Sequence, residues 1–179
     1  MTFDTSVATS DDFGTRTAPD AITFHRSLNA PIERVWKLLT SPEGLATWLG
    51  QATVDPRRGG DFIVQLTDDI LMHGRLLELD APRRLVISWR ELENGASTGH
   101  ATTEDDVSEL SFALKPVDGR THLTLVHRLI LAGEPMNGFG AGWHAFLDTL
   151  QAVLEGRPRI DPHVRYKDLR DEYVERLRA

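Results

Sequence analysis

The groups in this 179-residue chain with the chemistry to hold or transform a small molecule are its histidines, carboxylates and four tryptophans. They meet most conspicuously in GWHAFLDTLQAVLEG, residues 142–156, where Trp143 precedes His144 and Asp148 follows four residues later. A histidine beside a carboxylate is the start of a general base, because the carboxylate sets the tautomer and the pKa of the ring. The spacing argues otherwise. Trp143, Phe146, Leu147, Leu150, Val153 and Leu154 recur at three- and four-residue steps, the mark of a helix burying one stripe. His144 then falls about 100° around the helix from Trp143, on an exposed flank. A His144–Asp148 pair there is surface decoration worth a few tenths of a kcal/mol.

His127 is better placed. It continues the alternation of Leu123 and Leu125, so it is expected to point inward as a polar contact for a ligand or as a satisfied core histidine. Trp48, Trp89, Phe112, Trp143 and Phe146, with Leu125 and Leu147, complete the expected wall of an apolar cavity; the same side chains would equally make a filled core. Met72 and His73 lie in a strand whose facing is ambiguous. Glu109 and Asp61 would be catalytic carboxylates only if their strands faced the other way. No residue is assigned a catalytic role.

Other chemistry is excluded or unsupported. The chain has no cysteine, which removes disulfides, thiolate catalysis and cysteine-ligated metals. Its seven histidines show no close ligand spacing, so neither a metal nor another cofactor is expected. No GxSxG elbow, P-loop, HExxH or post-strand GxGxxG is present. A net charge of −7 disfavours a nonspecific grip on nucleic acid or an anionic membrane. No apolar run reaches the roughly 20 residues that span a bilayer, and the N-terminus lacks a signal-peptide pattern. A cytoplasmic protein is expected.

The elements that must position these groups follow from period and punctuation. Residues 1–19, rich in Thr, Ser and Asp, are expected to form a flexible tail. AITFHRSLNAP reads as a strand with Ile22, Phe24 and Arg26 on one face. Two short helices follow in APIERVWKLLTSPEGLATWLG, with Ser41 capping the second and Pro42 starting it. A run of strands comes next: DFIVQLT, ILMHGRLLELDAP, and RLVISWREL with Leu85, Ile87 and Trp89 sharing a face. A polar loop is expected over 91–106. LSFALKPVDGRTHLTLVH is a hairpin about its Asp-Gly turn. AGEPMNGFGAG reads as a glycine-rich connector into the long helix, which ends near Gly156. A last helix carries the thin stripe Tyr166, Leu169, Tyr173 and Leu177, which either docks on the chain's own fold or forms a homodimer. Strands joined by hairpins with helices at the ends define an α+β domain, with the long helix against the concave side of the sheet.

NAPIERVWKLLTSPEGLATWLG, GRLLELDAPRRLVISW, LSFALKPVDGRTHLTLVH and GWHAFLDTLQAVLEG together resemble the START-like (SRPBCC, birch-pollen-allergen-like) superfamily. Within it they are most similar to homologues of the activator of heat-shock protein 90 ATPase. The resemblance covers residues 22–156. It implies a helix-grip fold, a curved antiparallel sheet of about six to seven strands wrapped around the long helix with a cavity between them. Domain boundaries follow: a tail over 1–19, the helix-grip domain over 20–156, and a helical extension over 157–179. Members of the superfamily bind hydrophobic small molecules, act as cyclases or hydratases, or dock onto proteins. The first expectation for this chain is therefore binding of a hydrophobic small molecule without catalysis. A chaperone-associated interaction module and a cavity enzyme are the alternatives.

Overall fold

Nine strands, of which seven carry the body of the fold, form one continuous antiparallel sheet in a computed structural model that describes residues 12–97, 107–128 and 136–177. The seven are β2 (Ala21–Leu28), β3 (Gln51–Val54), β4 (Asp61–Gln65), β5 (Ile70–Asp80), β6 (Arg84–Glu93), β8 (Ser108–Val117) and β9 (Arg120–Arg128). Two short strands, β1 (Thr15–Ala18) and β7 (Ala96–Ser97), add to its edges, giving the order β1-β2-β9-β8-β6-β5-β4-β3 with β7 on β6. The α+β helix-grip architecture is as expected. Two boundaries differ. β1 pairs with β2 through Thr15↔Thr23 and Arg16↔Ile22, so ordered structure begins inside the expected tail. β6 runs on to Glu93 and turns back at Asn94-Gly95, both with positive φ, so the expected polar loop begins as a hairpin; residues 98–106 lie outside the described part.

Alternation fixes which face is buried. In β8 and β9, Leu110, Phe112, Leu114, Leu123, Leu125 and His127 point to the core, and the turn between them places Asp118 and Gly119 at positive φ. In β5 the ambiguity resolves with Met72 buried and His73 half-exposed beside Asp61. Glu109 lies on the outer face, paired with Arg128 at 2.6 Å.

Two short helices, α1 (Ile32–Thr40) and α2 (Pro42–Trp48), close one end of the core. α1 buries Ile32, Val35 and Leu39, and Ser41 Oγ caps α2 by accepting from the Gly44 N–H at 3.0 Å. The long helix α3 (Met136–Leu154) starts earlier than expected, because the glycine cluster is helical rather than a connector. Glycine costs about 1 kcal/mol against alanine in a helix, so packing must favour it here. At Gly140 it does: a Cβ would sit 2.5 Å from the ring of Tyr173 in the last helix, α4 (Pro162–Arg176). At Gly142 a Cβ would meet nothing within 4 Å among the described residues. The two glycines should therefore respond oppositely in chemical denaturation. Gly140→Ala is expected to lower stability by about 1–3 kcal/mol through overpacking. Gly142→Ala should raise it by roughly 0.5–1 kcal/mol through helix propensity. Equal responses would mean that the packing of α4 on α3 is not what selects glycine.

α3 is buried on two sides. Trp143, Leu147, Leu150 and Leu154 join the core under the sheet, while α4 covers the opposite side with Leu169 and Tyr173. This places His144, expected on an exposed flank, at 0% exposure. An apolar stripe predicts one buried face only when a helix has one neighbour, and here α4 supplies a second. The Leu169–Tyr173 stripe is thereby spent on the chain's own fold, and a dimer through α4 would have to use its charged outer face.

Candidate functional site

At the α3 N-terminal end the packing opens into a cavity of about 500 Å³. Its walls come from four places: Leu66, Thr67 and Ile70 around the β4–β5 turn; Trp89, Glu91 and Glu93 along β6; Gly138, Phe139, Gly142, Trp143 and Phe146 of α3; and Pro162, His163 and Tyr166 at the start of α4. The volume lies within the roughly 300–1,000 Å³ of small-molecule sites. Glu93 and His163 are exposed, so the cavity reaches solvent between β6 and α4.

Of the eight expected wall residues, Trp89, Trp143 and Phe146 line this space. The other five do not. Trp48 is buried at the α1–α2 end, where its indole N–H donates to the Leu38 carbonyl at 2.9 Å. Phe112, Leu125 and Leu147 are core residues, with Phe112 edge-on to Trp143 at 6.2 Å. His127 faces inward as its alternation requires, but it stands behind Trp143 rather than in the cavity.

The role of His127 is to hold the wall. Trp143 Nε1–H donates to His127 Nδ1 at 2.9 Å, which leaves the proton on Nε2. That N–H donates to Ser108 Oγ at 2.7 Å, and the Ser108 hydroxyl donates to the Trp89 carbonyl at 3.1 Å. The chain ties both wall tryptophans to one buried imidazole. Trp89 Nε1 donates to Glu91 Oε1 at 3.0 Å, so both indoles spend their N–H groups on protein partners. Their rings meet at 5.0 Å and 61°, an edge-to-face arrangement worth roughly 0.5–1.5 kcal/mol. Burial pushes the His127 ring down to about 3, so it is a neutral strut and not a proton carrier near pH 7.

A second polar cluster lies on the other side of α3. The Gly14 N–H donates to Tyr173 Oη at 2.8 Å, and the Tyr173 hydroxyl lies 3.0 Å from His144 Nδ1. His144 Nε2 lies 3.5 Å from Asp148 Oδ1, and Arg165 Nε donates to Asp148 Oδ2 at 2.7 Å. Arg26, on the buried face of β2, reaches Asp148 at 3.7 Å and Asp12 at 3.8 Å. The His144–Asp148 contact read from the sequence exists, but it is interior. Phe13 covers the cluster, 4.7 Å edge-on to His144, with the Arg176 guanidinium 3.9 Å over its ring. The result is a latch joining the N-terminal segment, α3 and α4, and α4 carries one wall of the cavity.

Burial, reinforced by the charges of Arg26 and Arg165, pushes His144 down to about 3. Two histidines are therefore neutral in the folded chain while an unfolded histidine titrates near 6.5. Below that pH the unfolded chain binds protons that the folded one does not, so stability falls as pH falls. Between pH 7 and pH 6 the two together should cost about 1.4 kcal/mol, measured as a shift in urea midpoint with proton uptake on unfolding. A midpoint unchanged over that interval would contradict the buried, neutral assignment.

Among the described residues no cluster of His and carboxylates has the geometry of a metal site. Among the same residues no helix is long and apolar enough to cross a membrane. Several of the cavity residues that sequence reasoning missed carry no local signal: Gly142 contributes by lacking a side chain, and Pro162, His163 and Tyr166 belong to a helix whose docking site no local pattern specifies.

A curved antiparallel sheet closed on a long helix, with an aromatic cavity at one end, defines a helix-grip protein. The chain belongs to the family of activator of Hsp90 ATPase homolog 1-like proteins, whose model matches residues 29–155. β1, β2 and α4 lie wholly outside that match. Among solved structures, CalU16 from Micromonospora echinospora is 25% identical with a TM-score of 0.69, covering 93% of this chain and 96% of CalU16. A protein from Bordetella parapertussis is 26% identical with a TM-score of 0.71, over 92% of this chain and 90% of its own. The Aha1 dimer from Colwellia psychrerythraea shares the fold at 19% identity and a TM-score of 0.62, over 75% and 96%. Comparison with curated proteins finds no match.

Proposed function

We propose that this protein binds a hydrophobic, ring-containing small molecule in the cavity between β6, α3 and α4, without catalysing its conversion. The observation that carries this reading is the cavity itself: about 500 Å³, walled by Trp89, Phe139, Trp143, Phe146 and Tyr166. Ring faces on several sides suit a flat apolar ligand, and the wall is held in place by the His127 and Glu91 hydrogen bonds before any ligand arrives. A cyclase or hydratase would need titratable groups converging on one substrate atom. The titratable cavity residues are instead Glu91, Glu93, His163 and Tyr166, spread over β6 and α4, and the buried His127 is committed to Trp143.

The family description favours a second reading, docking onto a chaperone of the Hsp90 class. Among the described residues the exposed large apolar side chains are Leu77 and Val164, on different elements, which form no patch for such a partner. Ligand binding is the reading the geometry supports better. Native mass spectrometry of the protein purified from its own host should show a stoichiometric small-molecule adduct that is lost on denaturation. Recovery of ligand-free protein together with a stoichiometric chaperone would reverse the order of the two readings.

A further inference from the structure

The charge of the cavity lining carries the reading further. We propose that the cavity selects a ligand bearing a positive charge on its ring system, an aromatic or alicyclic amine, over neutral and anionic ligands of the same shape. The proposal rests on the cavity being the ligand site. Glu91 and Glu93 are two residues apart on β6 and share a face with Trp89, so the strand runs from a buried indole through one carboxylate to a second at the rim. Glu91 is fixed against the wall by the Trp89 indole at 3.0 Å. No Lys or Arg is among the described residues lining the space. The other polar members are Thr67 from the β4–β5 turn and His163 and Tyr166 from α4.

Physically, the lining sorts ligands by charge as well as by shape. A cation seated on the faces of Trp89 and Trp143 gains from their quadrupoles and from the two carboxylates. A carboxylate in the same place meets two like charges and, among the described lining residues, no Lys or Arg to offset them, and like charges brought together out of water cost most where the surroundings are least polar. The arrangement also gives the bound molecule a direction, with its ring system inward against α3 and its ammonium group toward the rim at Glu93.

The test uses the intact protein and three probes. N-phenyl-1-naphthylamine, uncharged near neutral pH and brighter in apolar surroundings, reports occupancy of the cavity. 1-Naphthylmethylamine and 1-naphthylacetate, matched in ring and opposite in charge, are then titrated as competitors. The ammonium compound should displace the dye at a concentration at least about tenfold lower than the carboxylate. In the double variant Glu91→Gln, Glu93→Gln that preference should collapse to within about twofold, each competitor being read against the variant's own dye affinity. Glutamine keeps an acceptor for the Trp89 indole, and dye binding itself reports that the variant is folded. Equal displacement by the two competitors, or a preference that persists in the double variant, would overturn the charge selection alone. Absence of saturable dye binding to the wild type would overturn the cavity reading and this proposal with it.

Discussion

Asp148→Ala is expected to destabilise the protein by about 3–5 kcal/mol, the cost of removing one partner from a buried ion-pair network. Asp148 is the acceptor on which Arg165, Arg26 and His144 converge, at 2.7, 3.7 and 3.5 Å. The Arg26 side chain is 1% exposed, and without Asp148 it is left with Asp12 at 3.8 Å as its ion-pair partner. A guanidinium with only that longer contact must either stay desolvated or draw water into the α3–β2 interface, and both are expensive. Besides the Arg165 hydrogen bond, the contacts of Arg26 and His144 with Asp148 are longer than hydrogen bonds, so for Arg26 the loss is one of charge compensation. That distinction has its own signature. Arg26→Met introduced on the Asp148→Ala background should recover part of the lost stability, because it removes the charge that the first substitution stranded. Urea denaturation of the two variants reads both effects. A loss below about 1 kcal/mol for Asp148→Ala would show that the cluster is decoration, as its sequence spacing alone suggested.

Gly142→Leu is expected to abolish ligand binding while leaving the fold intact. Gly142 lines the cavity, and the position of its absent Cβ is clear of every described neighbour within 4 Å, so a larger side chain grows into empty space and not into the core. Leucine is also a better helix former than glycine, by close to 1 kcal/mol. The variant should therefore be at least as stable as the wild type and bind at least about a hundredfold more weakly, since its side chain occupies volume the ligand needs. A blocked site in a more stable protein is hard to confuse with misfolding.

How much of this was legible in the sequence varied with whether a local pattern or a distant partner decided the outcome. The inward turn of His127 followed from its alternation with Leu123 and Leu125, and the structure bears it out. Its task did not follow, because the Trp143 indole that it accepts from arrives sixteen residues later on another element. The Asp-Gly turn and the Ser41 cap were readable because their determinants lie within four residues. His144 was misplaced for the opposite reason. An apolar stripe implies one neighbour for its helix, and α4 lies beyond a break at Gly156 and Pro158 with no sequence signal of where it returns. The glycine cluster ahead of Trp143 reads as a connector on propensity, which tertiary packing overrides: Gly140 admits the Tyr173 ring, and Gly142 leaves the cavity open. A cavity is a difference between what is packed and what is not, and residues that contribute by being small leave no hydrophobic period. The aromatic walls were therefore visible in part, and the opening between them was not.

The same latch that buries His144 fixes the far wall of the site. Tyr173 ties α4 to Gly14 and His144 at one end, and Pro162, His163 and Tyr166 face the cavity at the other. The segments outside the family match thus complete a cavity whose other walls lie within it.

The most direct measurement is a parallel titration of the wild type and Gly142→Leu with N-phenyl-1-naphthylamine. The wild type should show saturable one-to-one enhancement of dye emission, and Gly142→Leu, equally folded by circular dichroism, should show none. Equal binding by the two proteins would place the apolar ligand elsewhere and contradict the assignment of the β6–α3–α4 cavity as the binding site.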